Sequence, residues 1–529
     1  MAQPYDKPHL SIDKQIDKLR QNGMLFGQAD PAEALRRVGY YRLSGYWHHY
    51  REEGVDVTLV PPGIIGDSGA QQPPSHSAMS PEDGDSGTVD EEIQRLSSFV
   101  PGTQFDQVLA TYEFDRDLRM RIFDAIEMIE VALRFRLGYQ LGEFHSFAHR
   151  DPHAMTNEFA FSNSPRTGLE FSQWQKSNHA AALREVDEAE SRSKEKFVLH
   201  YKKKYGGPMP VWMSTEVMTF GTLSRIFAGM ESARQDRVAT IYGIAGKRPG
   251  GDGGTLSDWL NHIRYIRNVC AHHSRIWNKN ITVNLPITTN IPELDHISPH
   301  RSRTRIYGTL AVLAFLVARI DPSSRWRIEM KTFLQTRLPG LGQELHVLGF
   351  PERWESEALW AGDYRSPSVG MDVLLDVLDT VDSHTATEAG AVVAFERNAK
   401  DRQKRLRWLR DKGYVLAISL SGAWTYPQFQ FETSSDTGMY QQARDINRRL
   451  LPNGTSDQKA AKDALLWWIA DHTLADGRTV NPASDLTAGT LDSEAVEELL
   501  MQRSLPHVRE KPIRRSCVGE WLARLVRGV

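Results

Sequence analysis

The sequence predicts a mainly α-helical chain with a small α/β or α+β domain toward its C-terminal end. Apolar residues recur at three- and four-residue steps through most of residues 1–360, the spacing that lines one face of a helix. Stretches with strand-like composition are short and confined to 414–419 and 428–432. At 529 residues, 40% of them hydrophobic, the chain has apolar material for more than one core.

Helical spacing begins with Ser11-Ile-Asp-Lys-Gln-Ile-Asp-Lys-Leu, and Asp30-Pro31 supplies a cap followed by proline at the first helical position. The aromatic block Val38-Gly-Tyr-Tyr-Arg-Leu-Ser-Gly-Tyr-Trp-His-His-Tyr50 follows. Residues 61–90 are rich in Gly, Pro, Ser and Asp and lack apolar periodicity, which predicts a disordered insert. The clearest long helix covers 105–141, where Leu118, Ile122, Ile126, Ile129, Leu133 and Leu137 share a face. A second helical stretch, 172–205, ends in the basic cluster Lys194, Lys196, Lys202, Lys203 and Lys204. Helices over 256–277, 303–320 and 325–337 complete a helical domain spanning 1–360. A linker at 361–395 leads to a second domain, 396–505, with a basic helix at 396–412, the two strands, and helices near 438–451, 456–470 and 493–503. Residues 506–529 form a tail.

The 64 basic and 67 acidic residues leave a net charge of −3, so any nucleic-acid contact must come from local patches. Two cysteines, Cys270 and Cys517, exclude a disulfide framework and a zinc site built from several thiolates. The polar N-terminus lacks a signal-peptide core, and the longest apolar run, 310–320, is too short to span a bilayer. These features predict a cytoplasmic protein without membrane segments. The His residues form no H-E-x-x-H, and Gly250-Gly-Asp-Gly-Gly254 lacks the Lys-Ser/Thr of a phosphate cradle, so neither a metal nor a cofactor is expected.

The chemistry concentrates in Arg267-Asn268-Val-Cys-Ala-His272-His273. Arginine is always charged and grips a phosphate with a planar fork, while histidine titrates near neutral pH and can exchange a proton with a ribose 2′-hydroxyl. On a regular helix Trp259, Ile263, Ile266, Cys270 and Trp277 make an apolar stripe, with His273 in the gap and expected to pack. Asn261, Arg264, Asn268, His272 and Arg275 make the opposing polar stripe, which marks His272 as the acid or base. Arg267 lies about 140° round the helix from His272. A twofold dimer would bring Arg267 of one subunit toward His272 of the other. Taken alone, an R-X4-H pattern is more often an unrelated surface arginine and core histidine.

Three further groups stand out. Glu130 and Arg134, one turn apart, read as a surface pair worth under about 1 kcal/mol. Tyr40, Tyr41, Tyr46 and Trp47 are expected to fill a core, with base stacking beside Arg42 as the alternative. Lys202, Lys203 and Lys204 are a solvated face or an RNA-backbone contact.

Three blocks agree in order and spacing: Tyr40-Tyr-Arg-Leu-Ser-Gly-Tyr-Trp47; Tyr112-Glu-Phe-Asp-Arg-Asp-Leu-Arg119 with Ile129-Glu-Val-Ala-Leu-Arg134; and Arg267-Asn-Val-Cys-Ala-His-His-Ser-Arg-Ile-Trp-Asn278. Together with 210–224 and Gly349-Phe-Pro-Glu-Arg-Trp354, they resemble the Abi-like abortive-infection proteins of the AbiD/AbiF type over about residues 10–360. The resemblance implies a HEPN-type helical domain, a class whose R-X4-H residues form a metal-independent ribonuclease, commonly across a homodimer. It places Arg267 and His272 on the motif and Asn268 in the polar position after the arginine, and it implies for Glu130 and Arg134 the alternative of a buried brace for the catalytic helix. It also implies bacterial defence against phage, or a toxin–antitoxin arrangement restrained by a small RNA or a protein antitoxin.

Gly413-Tyr-Val-Leu-Ala-Ile, Tyr426-Pro-Gln-Phe-Gln-Phe431, Leu465-Leu-Trp-Trp468 and Asp476-Gly-Arg-Thr resemble the toxin-binding domain of ParS-like antitoxins. That resemblance implies a protein-contact or self-restraining domain. An accessory domain with Trp467 and Trp468 packed in its core fits the same residues. The competing functional class for the whole chain is a catalytically silent scaffold for RNA or a partner protein.

Overall fold

Capping residues and burial set the helix boundaries of the first of two units, which comprises Met1–Ser232 and Gly254–Ser366. The computed structural model describes residues 8–53, 95–161, 177–245, 251–287, 291–341, 345–364, 366, 378, 381–393, 399–420, 423–432, 438–455 and 457–504; the 61–90 insert and the 506–529 tail lie outside them. The chain is mainly α-helical. The Ser11 hydroxyl caps α1 (Ile12–Gln21), and the Asp30 carboxylate accepts from the Ala32 and Glu33 amides to start α2 (Pro31–Val38) with proline at its first position. Gly39, at φ 93°, lets α3 (Tyr40–Trp47) follow directly. A short antiparallel pair, β1 (Arg51–Glu53) and β2 (Arg95–Phe99), leads to α4 (Phe105–Gly142).

With 38 residues, α4 is about 57 Å long and forms the spine of this unit. Its buried face carries the predicted Leu118, Ile122, Ile126, Ile129, Leu133 and Leu137. The predicted 172–205 helix is two, α5 (Asn178–Arg192) and α6 (Lys196–Tyr205), because Ser193 turns to extended backbone and its hydroxyl accepts from the Glu195 amide. Then come α7 (Val211–Val217) and α8 (Phe220–Gly229). α7 lies close along α4: a Cβ at Gly138 would sit 3.1 Å from Trp212 Cα. The remaining long helices are α9 (Gly253–Ala271), α10 (Ile306–Ile320) and α11 (Trp326–Arg337). α10 is buried from Ile306 to Val317, which explains its almost unbroken apolar sequence. Among the described residues no helix is long and apolar enough to cross a membrane.

Buried histidines make this unit acid-sensitive. Burial pushes His149 down to about 3 and His262 and His296 down to about 4. His262 is held by the Val283 carbonyl at 3.1 Å and the Thr309 hydroxyl at 2.9 Å. Each ring stays neutral in the fold but takes up a proton near pH 6.5 in the unfolded chain, so below that pH the unfolded state binds more protons. Stability is therefore full above about 6.5 and falls toward pH 4 by up to about 1.4 kcal/mol per unit for each ring. The urea midpoint should drop steeply between pH 7 and 5, and His262→Gln should flatten that slope; a midpoint constant across this window contradicts the assignment.

The second unit comprises Ala233–Gly253 and Pro367–Val529. Its antiparallel sheet has the order β3-β5-β4, with β3 (Ser383–Thr385), β4 (Ile418–Leu420) and β5 (Ala423–Pro427). β3 and α12 (Ala386–Val393) fall within the stretch read as a linker. The second predicted strand, 428–432, is displaced: Gln428–Gln430 is a 3-10 turn, and the buried Gln430 amide itself binds Leu416 N and O at 2.8 and 2.9 Å, taking the place of strand pairing. Helices α13 (Ala399–Asp411), α14 (Gln441–Leu450), α15 (Gln458–Ile469), α16 (Pro482–Ala488) and α17 (Ser493–Ser504) belong to the unit, as does most of the helix Ser232–Ile241. Its core joins Ala389, Val393, Leu406, Leu409, Val415, Tyr426 and Phe431. Trp468 is buried and donates to Asn447 Oδ1 at 2.9 Å. A hairpin of β6 (His472–Thr473) and β7 (Thr479–Val480) carries Asp476-Gly-Arg at its turn.

A candidate active site at a strained helix end

α9 buries Trp259, Ile263, Ile266 and Cys270 and exposes Asn261 and Asn268, and His272 is exposed just past its end. It stops at Ala271, before the predicted 277. The His273 amide donates to Cys270 O at 3.0 Å and the Ser274 amide to Val269 O at 2.9 Å, with His273 left-handed at φ 55°. This paired capping is the Schellman arrangement, whose left-handed position usually holds glycine. His273 is accordingly exposed and does not pack on the apolar stripe; the chain has left helical geometry by that point. Trp277 is buried beyond the helix, 5.5 Å edge-on to Phe114 of α4.

The turn is held from outside the helix. Asp115 of α4, fully buried, accepts from the Ile276 amide at 3.1 Å and the Trp277 amide at 2.7 Å through one oxygen. Its other oxygen accepts from the Tyr46 hydroxyl at 2.6 Å and is ion-paired to Arg119. Burial pushes the carboxyl up, while Arg119, Tyr46 and the two amides pull it back down. Arg119 also reaches Ser274 O at 3.4 Å, Arg42 of α3 donates to His273 O at 2.7 Å, and Arg275 donates to Gly45 O. Asn278, a second left-handed residue at φ 48°, is held by Arg305. Of the three described non-glycine residues with positive φ, two thus flank this turn. The sequence reading missed Asp115, Arg119 and Tyr46 as a brace. The available signal was an aspartate and an arginine one turn apart on the apolar face of α4, beside Leu118 and Ile122.

The strained position gives a test that separates the two histidines. Replacing His273 with glycine removes the steric cost of the left-handed backbone, so His273→Gly should raise stability by about 1 kcal/mol in urea unfolding. Any acid–base chemistry of His272 should persist in His273→Gly, because the backbone amide and carbonyl through which His273 is engaged are kept by glycine.

Arg267 is half-buried, with its guanidinium 5.8 Å from the Phe123 ring of α4 and its Nε lacking a hydrogen-bond partner. Among the described residues no carboxylate pairs with it. Phe123 belongs to an exposed stripe of α4 with Met120, Val131, Phe135 and Tyr139, about 28 Å long. Cys270, the motif's one other potential nucleophile, is buried and pushed up to about 12, which keeps it a thiol.

The other sequence candidates fall in several places. Arg134 donates to Glu130 at 2.6 Å and to Met218 O at 3.3 Å, so this pair ties α4 to the end of α7. Lys202 donates to Glu190 O, while Lys203 and Lys204 are exposed. Tyr46 and Trp47 are buried and Tyr40 is half-buried, as a core reading requires, but Tyr41 is 92% exposed beside Arg42.

The first unit thus presents an arginine and an exposed histidine at a braced, strained helix end. Residues 33–278, which contain α3, α4 and that motif, match the model of the family described as Abi-like protein. That match makes the 33–278 segment similar to Abi-like proteins. Neither the curated proteins nor the solved structures give a match.

Proposed function

We propose that the first unit is a metal-independent endoribonuclease of the HEPN type, acting in bacterial anti-phage defence through a homodimeric site. One observation carries the reading: inside the Abi-like segment, Arg267 has no carboxylate partner among the described residues, and His272 stands exposed one residue past the end of the same helix. Exposure and strain at one turn suit a functional loop better than a structural one. The exposed apolar stripe of α4, touched by Arg267, is the surface on which a second copy would place its own motif. A small RNA or a protein antitoxin as the restraining partner belongs to the same reading.

In the proposed reaction one His272 accepts the proton of a ribose 2′-hydroxyl as its oxygen bonds to the adjacent phosphorus. The bond from phosphorus to the 5′-oxygen breaks, and the leaving oxygen takes a proton from water. Arg267 offsets the charge that builds on the phosphoryl oxygens. The products are a 2′,3′-cyclic phosphate and a 5′-hydroxyl. The test is incubation with labelled single-stranded RNA, transfer RNA and DNA in EDTA, followed by end-group analysis. Cyclic phosphate ends from RNA with DNA intact are expected. Bound but uncut RNA would instead favour the scaffold class.

A further inference from the structure

We propose that the second unit carries its own binding face for single-stranded RNA, built by α13, the turn after it, and α14. Between Ala399 and Lys412 the chain places seven basic residues against two acidic ones, within a protein of net charge −3. Leu406 and Leu409 bury one side of α13, which turns Lys404, Arg405, Arg407, Trp408 and Lys412 outward. The two acids are already paired, Asp401 with Lys404 at 3.8 Å and Asp411 with Arg410 at 2.8 Å. Among the described residues Arg405, Arg407 and Lys412 have no carboxylate partner.

Aromatic rings are layered between these charges. Gly413, at φ 74°, ends α13 with the same paired capping seen after α9: its amide donates to Arg410 O and the Tyr414 amide to Leu409 O, both at 2.9 Å. That turn folds Tyr414 back onto Trp408, with ring centroids 5.7 Å apart and planes 22° from parallel. Arg405 lies 4.8 Å from the Trp408 ring, and Arg444 and Arg448 of α14 lie 5.5 and 5.6 Å from the Tyr414 ring. An apolar contact is common at such helix ends, but a leucine supplies it equally well. Here the contact is a tryptophan 45% exposed among arginines. Aromatic faces interleaved with unpaired cations are the chemistry that stacks bases and tracks a phosphate backbone. A duplex hides its base faces, so unpaired RNA is the ligand.

The choice of RNA over DNA rests on the ribonuclease reading; the binding face itself does not. The test is fluorescence anisotropy with a labelled 20-nucleotide single-stranded RNA and full-length protein carrying His272→Ala, so that cutting cannot consume the probe. Trp408→Leu, which keeps an apolar contact at the helix end, should weaken binding about tenfold, whereas Trp408→Phe should keep most of it. Lys404→Gln and Arg405→Gln should each weaken binding and reduce the slope of log Kd against log salt by about 0.7. A hairpin duplex should bind more weakly than the single strand. Affinities within about twofold of the parent for both Trp408→Leu and Arg405→Gln overturn the proposal, including the case in which this face engages an acidic protein. If wild type cuts no RNA while these variants lose binding, the ribonuclease reading falls and this one stands. If wild type cuts and Trp408→Leu binds like the parent, the reverse holds.

Discussion

Replacing His272 with alanine should lower RNA cutting by about two to four orders of magnitude, the range a positioned acid or base supplies. His272 is exposed and its amide donates to Asn268 O at 3.0 Å, an interaction that alanine retains. Folding and RNA binding should therefore survive, and the loss should appear in the single-turnover rate. Arg267→Lys keeps the charge but loses the planar fork, and should fall between wild type and Arg267→Ala. Mixing the two null proteins tests the dimer. Arg267→Ala and His272→Ala subunits form hybrids with one intact composite site, so activity should recover to about a quarter of wild type if the site joins two chains. Sites formed within one chain predict no recovery. Phe135→Asp, in the exposed stripe of α4, should abolish both the dimer in light scattering and the cutting.

The helices were legible where apolar periodicity and burial coincide. α4 could be read to within a residue because Leu118 through Leu137 repeat on one face, and α1 and α2 because Ser11 and Asp30 announce their caps. The end of α9 could not be read this way. Trp259, Ile263, Ile266, Cys270 and Trp277 keep helical spacing past Ala271, yet Trp277 is buried for another reason, against Phe114. What stops the helix is written at Asp115, about 160 residues earlier, whose carboxylate claims the amides of Ile276 and Trp277. The pattern also favours glycine at the left-handed position, and His273 there gives no local sign that the chain turns. The same limit applies to Gln430, whose side chain bonds Leu416 in place of the strand that its neighbours spell. The Arg267 and His272 pair could be named from sequence because it is one short motif. The brace that positions it is scattered over α3, α4 and the turn, so only the fold assembles it.

That brace gives the largest expected effect on stability. Asp115→Asn keeps the size of the side chain but faces Arg119, the Tyr46 hydroxyl and two backbone amides with half its accepting capacity and no charge. Arg119 is left buried without a counter-ion, a situation that typically costs 3–5 kcal/mol, and we expect a loss of about that size in urea unfolding of the first unit. Arg119→Met should cost less, because the Asp115 carboxylate keeps three hydrogen-bond donors. The double variant Asp115→Asn with Arg119→Met should recover part of the Asp115→Asn loss, since no buried charge remains. Full additivity of the two changes would show that the pair is not coupled. The two variants also separate support from chemistry. Neither residue touches RNA in the proposed site, so cutting should fall with both in step with the disturbed turn, and added substrate should not restore it. Loss of stability in Asp115→Asn with an unchanged cutting rate would mean that the turn after α9 holds the fold together without positioning His272.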